Sequence, residues 1–166
     1  YINNKTFYYL SLFIFLIVSF VLLDTLYQFF NYTPNDGFGE DLLGFKSNWY
    51  GRLTGPFGDE LIPGAYVSRF GLIGFVYLLL NRRLKSFIFL QCLYLSLILV
   101  VTYLSGERMA FATYLMALCL LLVFFKDKRN VFLLSIILGL ISIYIIYKNH
   151  SFYNDFEIIK KTHYHQ

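Results

Sequence analysis

Apolar residues gather along this chain in five long runs separated by polar breaks. The first, residues 7–30, carries no charge before Asp24. Runs at 61–80, 86–104, 109–125 and 131–147 follow, and the last three contain no Asp, Glu, Lys or Arg. A bilayer's hydrocarbon core takes about 20 residues of α-helix to cross. Runs near that length without strict alternation predict membrane helices, whereas a transmembrane β-barrel shows segments of about 10 residues alternating in hydrophobicity. The expected fold class is all-α: a polytopic transmembrane helical bundle of five spans, forming one membrane domain over residues 1–166.

The breaks supply the rest of the organisation. Residues 31–60 are rich in glycine and turn formers, including Thr33-Pro34-Asn35-Asp36-Gly37. Trp49 and Tyr50 in that stretch suit an interface between lipid and water. A connector of this length without secondary structure of its own is more often functional than idle. At its end, Asp59 or Glu60 is expected to cap the second span, and Pro63 fits the first turn, where a missing N–H costs nothing. Arg69 then falls two turns inside. The uncharged remainder, residues 70–80, is too short to cross alone, so Arg69 is expected either within the bundle or snorkelling outward. Asp24 poses a similar choice. A carboxylate at mid-membrane costs about 2.5–3.5 kcal/mol on insertion scales. Asp24 lies near the end of its run, before Tyr27 and Gln28, so it either reaches interfacial water or lines a cavity.

Charge sets the topology. The turns at 82–85 and 126–129 each hold three Lys or Arg, and five spans put both on one side, with Lys5. The positive-inside rule makes that side cytoplasmic. Residues 31–60, the turn at 105–108 and the segment from 148 then face outward.

Composition agrees and excludes other classes. With 58% hydrophobic and 14% charged residues, the chain has too little charge to cover a soluble domain. The net charge of +4 follows from loop topology, and no basic face interleaved with exposed aromatics points to nucleic acid. Cys92 and Cys119 lie inside spans without metal or redox spacing and read as small hydrophobes. Phosphate-loop, dinucleotide, zinc and Ser-His-Asp patterns are all missing, so neither a cofactor nor a metal is expected. The chain opens on Tyr1 rather than Met and ends at Gln166 in a polar segment, so we expect a piece of a longer protein.

Chemistry is then expected at the outward arginines Arg52, Arg69 and Arg108. Arg108 follows Glu107 in a tight turn at the start of a span. The pair reads either as an interfacial ion pair or as part of an anion site. Guanidinium is planar, permanently charged and bidentate toward phosphate oxygens, and a helix start adds free N–H groups and a positive dipole end. Two or three such arginines facing one cavity suit a pyrophosphate.

Arg52-Leu53-Thr54-Gly55-Pro56-Phe57-Gly58 before a span, with Leu104-Ser105-Gly106-Glu107-Arg108 at an outward turn two spans on, resembles the bacterial O-antigen ligase and O-antigen polymerase superfamily. In that family the second turn more often reads Ser-Arg-Gly or Thr-x-Ser-Arg. Asp24, Gln28 and Gly44 resemble one branch, and the likeness covers roughly residues 20–148. It implies a metal-independent, inverting glycosyltransferase at the periplasmic face of the bacterial inner membrane. Such an enzyme takes a glycan from an undecaprenyl pyrophosphate donor and passes it to a lipid A core or a growing polysaccharide. Arg52 and Arg108 carry over as the catalytic arginines that hold the pyrophosphate. Arg69, Glu107 and Asp24 are further candidates for substrate contact. The likeness also implies a histidine base from the outward segment that begins at 148. His163 and His165, in Thr162-His163-Tyr164-His165-Gln166, fall early for the position, and the base is expected beyond Gln166. A transporter or flippase of lipid-linked saccharides would need outward arginines too, but also charges along several spans. A purely structural subunit would leave the motif of residues 52–60 unexplained.

Overall fold

Each apolar run folds as one α-helix in the computed structural model, which describes residues 4–33, 37–49, 51–81, 84 and 87–150. In chain order these are α1 (Asn4–Phe30), α2 (Pro63–Leu80), α3 (Ile88–Leu104), α4 (Arg108–Phe124) and α5 (Arg129–Asn149). One turn of 3-10 helix at Gly55–Phe57 precedes α2, and another at Lys126–Lys128 precedes α5. The all-helical bundle read from the runs is the fold observed. Arg82, Arg83 and Lys85 of the first basic turn, together with His163 and His165, lie outside the described residues.

The helices alternate in direction, and polar contacts tie both ends of the bundle. At one end the α3–α4 turn bonds to the start of α2, α1 bonds to residues 54–55, and His150 after α5 stacks on Phe29 of α1 at 4.2 Å. At the other end Asn81 Nδ2 donates to the Tyr8 and Tyr77 hydroxyls, and Lys128 Nζ donates to Gln91 Oε1. The segments expected to face outward gather at the first end, and Lys126–Lys128 lies at the second.

Side-chain distribution shows what solvent the bundle is built for. On α1, Phe7, Leu10, Phe13, Leu16, Phe20, Leu23 and Phe30 are exposed, while Ser11, Asp24, Thr25 and Gln28 are buried. Water would favour the reverse, and an apolar stripe this long is far larger than soluble monomers expose. Lipid is the solvent that fits. Among the described residues, three helical stretches are long and apolar enough to cross a membrane: Lys5–Phe30, Pro63–Leu80 and Lys126–Asn149. α3 and α4 have 17 residues each, at the lower end of the spanning range.

The core is centred on α3, where Leu95, Ile98, Leu99 and Val101 are completely enclosed. Small residues let the neighbouring helices approach it, as is usual where lipid gives no hydrophobic drive for helices to associate. A Cβ at Gly71 would sit 2.5 Å from Ile98 Cδ1, and one at Gly139 would sit 2.6 Å from Leu99 Cδ2. Gly74 is tighter in kind. Its Cβ would meet the Tyr94 hydroxyl and lie 3.1 Å from the backbone of Phe15 in α1. A side-chain tip can rotate away, but a helix backbone cannot. Gly74→Leu should therefore destabilise the bundle by about 1–3 kcal/mol, the usual cost of overpacking. Thermal unfolding in detergent checks this, with Ile73→Leu on the exposed side of α2 staying close to wild type.

Candidate functional site

The loop end of the bundle is built around one carboxylate. α3 ends at Leu104, and the chain reverses through Ser105 and Gly106, whose φ of 75° suits a residue without Cβ. This reversal delivers Glu107 to the start of α2. One Glu107 oxygen accepts the Gly64 N–H at 2.7 Å, and the other accepts the Ala65 N–H at 2.9 Å. Gly64 leaves the room, since a Cβ there would run into Ser105 and the Glu107 carboxyl. The expectation that Asp59 or Glu60 caps α2 is thereby corrected. Ile62 occupies the cap position without a side-chain bond, and Asp59 instead accepts from Asn48 Nδ2 at 2.6 Å. Pro63 does sit in the first turn, as expected.

The charges of Arg52 and Arg69 both act on the same carboxylate. The Arg52 side chain lies over Gly106, whose Cβ would be 3.5 Å from Arg52 Cδ and 3.6 Å from Nε. Burial pushes the Glu107 carboxyl above its ordinary range, opposed by the Gly64 and Ala65 N–H groups and by the charges of Arg52 and Arg69. Among the described residues neither guanidinium forms an ion pair, while each Glu107 oxygen accepts one amide. Arg69 is exposed rather than enclosed in the bundle.

Arg108 stands differently. It is the first residue of α4, exposed, and absent from the charges that act on Glu107 although it is next in sequence. The structure thus groups Arg52 with Arg69 around Glu107 and leaves Arg108 at the rim.

Two residues of α1 hold the loop that carries Arg52. Gln28 Oε1 accepts the Thr54 and Gly55 N–H groups at 3.0 and 2.9 Å. One turn earlier, Asp24 Oδ1 accepts the Leu42 N–H at 2.8 Å. Gly55 has a φ of 51°, and a Cβ there would strike Thr25 Oγ1, so the Arg52 motif can lie against α1 only with glycine at this position. Asp24 itself is fully buried. The reading that it reaches interfacial water is corrected, because the loop closes over it. Beside this anchor a polar cleft of about 380 Å³ opens between Tyr27, Asn31, Thr33, Glu40, Asp41 and Lys46.

Two participants, Gln28 and His150, were not among the candidate site residues read from the sequence. Gln28 was visible as a polar residue four after Asp24 on an otherwise apolar helix, the spacing of neighbours on one face. His150 gave no such signal beyond its place after the last span. Burial lowers its pKa from the ordinary histidine value, opposed by a hydrogen bond to the Phe29 backbone. Compared with protein families, curated proteins and solved structures, the chain has no match in any of the three.

Removing the cap should be costly. Glu107→Ala leaves two N–H groups at the start of α2 unmet and should destabilise by about 1–2 kcal/mol, with Glu107→Gln milder because it keeps one acceptor. The pH dependence has a definite sign. A carboxyl whose folded pKa is raised holds more proton folded than unfolded. Its contribution is full below the unfolded value of about 4.3 and is lost as pH rises through the folded pKa. Melting curves across pH should therefore decline less steeply for Glu107→Gln than for wild type.

Proposed function

We propose that this chain works in a membrane glycosyltransferase of the O-antigen ligase and polymerase type, at the periplasmic face of the bacterial inner membrane. The donor is a glycan on undecaprenyl pyrophosphate, and the acceptor is a lipid A core or a growing polysaccharide. The observation that carries the reading is the pairing of Arg52 with Arg69 around Glu107, two guanidinium groups without a carboxylate partner of their own among the described residues. Each comes from a different segment, and the charges of both act on Glu107.

The chemistry follows from the charges. The acceptor hydroxyl attacks the anomeric carbon, the bond from that carbon to the pyrophosphate oxygen breaks, and undecaprenyl pyrophosphate leaves with the electron pair. Without a metal, the charge that grows on the leaving group is met by fixed cations, for which Arg52 and Arg69 are placed and Arg108 stands at the rim. Glu107 acts as the positioning residue: it holds the start of α2, and with it Arg69, against the turn beneath Arg52. The polar cleft beside Tyr27 and Glu40 has room for sugar rings. The hydroxyl proton goes to a histidine of the segment beginning at 148, in which His163 and His165 are the candidates on this chain.

In the full-length protein, Arg52→Ala should lower transfer by about 100-fold or more, as removal of one fixed donor to a developing anion does. Arg52→Lys, which keeps charge but not the bidentate fork, should fall between. The readouts are the polysaccharide ladder on gels and the release of undecaprenyl pyrophosphate from labelled donor, at matched protein levels. Ladders of wild-type length and intensity from both variants would refute the assigned role. Donor moved across the bilayer without release of the carrier would point to a transporter.

A further inference from the structure

Residues 41–45 combine an irregular backbone whose N–H groups are all taken by the protein with large apolar side chains that are exposed. The Asp41 N–H donates to the Phe45 carbonyl at 2.9 Å, and the Gly44 N–H to the Asp41 carbonyl at 3.2 Å. The Leu43 and Phe45 N–H groups share Asp41 Oδ1 at 2.9 and 2.6 Å, and the Leu42 N–H reaches Asp24 Oδ1 on α1 at 2.8 Å. Asp41 is thereby folded inward, 4% exposed, while Leu42, Leu43 and Phe45 are 52%, 55% and 47% exposed. Water would meet those amides itself and would favour the apolar side chains turned inward. Where water is scarce the preference reverses: the protein must meet its own amides, and apolar side chains can face out.

Position decides which medium this tip meets. At its start, Glu40 offers its carbonyl to Asn31 Nδ2, just past the end of α1, at 3.2 Å. Leu42 is fastened to Asp24, two turns or about 10 Å further back along the helix. His150, just past the end of α5, stacks on Phe29 at 4.2 Å, so the α1 and α5 spans end level with each other. Asp24 lies more than a turn inside that limit. The tip therefore runs back beside α1 rather than out over the bundle. Leu23, next to Asp24, is exposed together with Tyr27 and Phe30, the last part of the stripe that α1 turns to lipid. Leu42, Leu43 and Phe45 add apolar surface at the same end of that stripe. Glu40 and Lys46, both exposed, bridge across the base of the tip, so charge stands on either side of the apolar residues.

We propose that residues 41–45 dip into the leaflet at the loop end of the bundle, with lipid as the partner of this surface. Leu42, Leu43 and Phe45 lie among the ester ends of the acyl chains, the depth at which apolar faces of interfacial segments sit. Glu40 and Lys46 stay among the headgroups, where a lysine can extend its charge toward water. Inserted in this way, the tip also stands between Asp24 and the lipid. This membrane contact does not depend on the transferase reading; it needs only that the bundle spans a bilayer.

The test uses the full-length protein in phosphatidylcholine vesicles. Trp49 is the sole tryptophan of the chain, so Leu43→Trp in a Trp49→Phe background places one reporter at the tip. Its emission should lie at short wavelength. Most of that emission should be lost when the phosphatidylcholine carries bromine near the ester end of its chains. Bromine near the methyl end should quench less, and iodide in the water should quench little. Phe45→Trp in the same background should behave alike, and it carries the test should Leu43→Trp fail to fold. Quenching of both reporters by iodide but not by brominated lipid would put the tip in water and overturn the proposal. Protection from both quenchers would overturn it too, because the tip would then be covered by protein, either a second copy or another segment.

Discussion

Inside a bilayer no water is available to the N–H groups at a helix start, so the protein must meet them itself. α2 has no side chain of its own placed to do this. Glu107 does it from 42 and 43 residues away in sequence, through two charge-assisted bonds. Much of the loop end follows from that contact. It fixes where α2 begins, sets Arg69 two turns below, and locks the α3–α4 reversal whose glycine lies beneath Arg52.

Polar side chains within the spans divide into two kinds by how they find partners. Ser11, Thr25, Ser96, Thr102 and Ser135 each return a hydroxyl to a carbonyl three or four residues earlier on the same helix. Such groups are satisfied locally, cost little, and carry no information about a site. Asp24, Gln28 and Glu107 instead reach across to other segments, and these three arrange the loop end. Polarity in a membrane helix is therefore less informative than the sequence distance to its partner.

The same distinction explains what could be read from residues alone. The five helices were legible because apolar run length reports directly on the membrane, and each observed helix falls within two or three residues of its run. The cap of α2 was not. Asp59 and Glu60 stand nearest in sequence, but local proximity lost to the geometry of a distant turn. Arg69 was read as the weakest of three arginines because its depth in the membrane was its only distinction. It gains importance through Glu107, a partner that no local pattern links to it. Arg108 drew attention by adjacency to Glu107, yet the α4 helix start turns it elsewhere. Asp24 was legible as an anomaly, whereas its partner, the Leu42 N–H, is a backbone group that no side-chain pattern marks.

The engagement of both Glu107 oxygens has a further consequence. With one amide on each oxygen, Glu107 feels the charges of Arg52 and Arg69 without pairing directly with either guanidinium among the described residues. The resting protein therefore keeps an unmet demand for negative charge at the rim of a membrane, where lipid phosphates are the most abundant anions at hand. Any ligand bound there must displace a crowd of headgroups rather than fill an empty seat. Occupancy would then depend on the charge of the surrounding leaflet as much as on the ligand's own concentration.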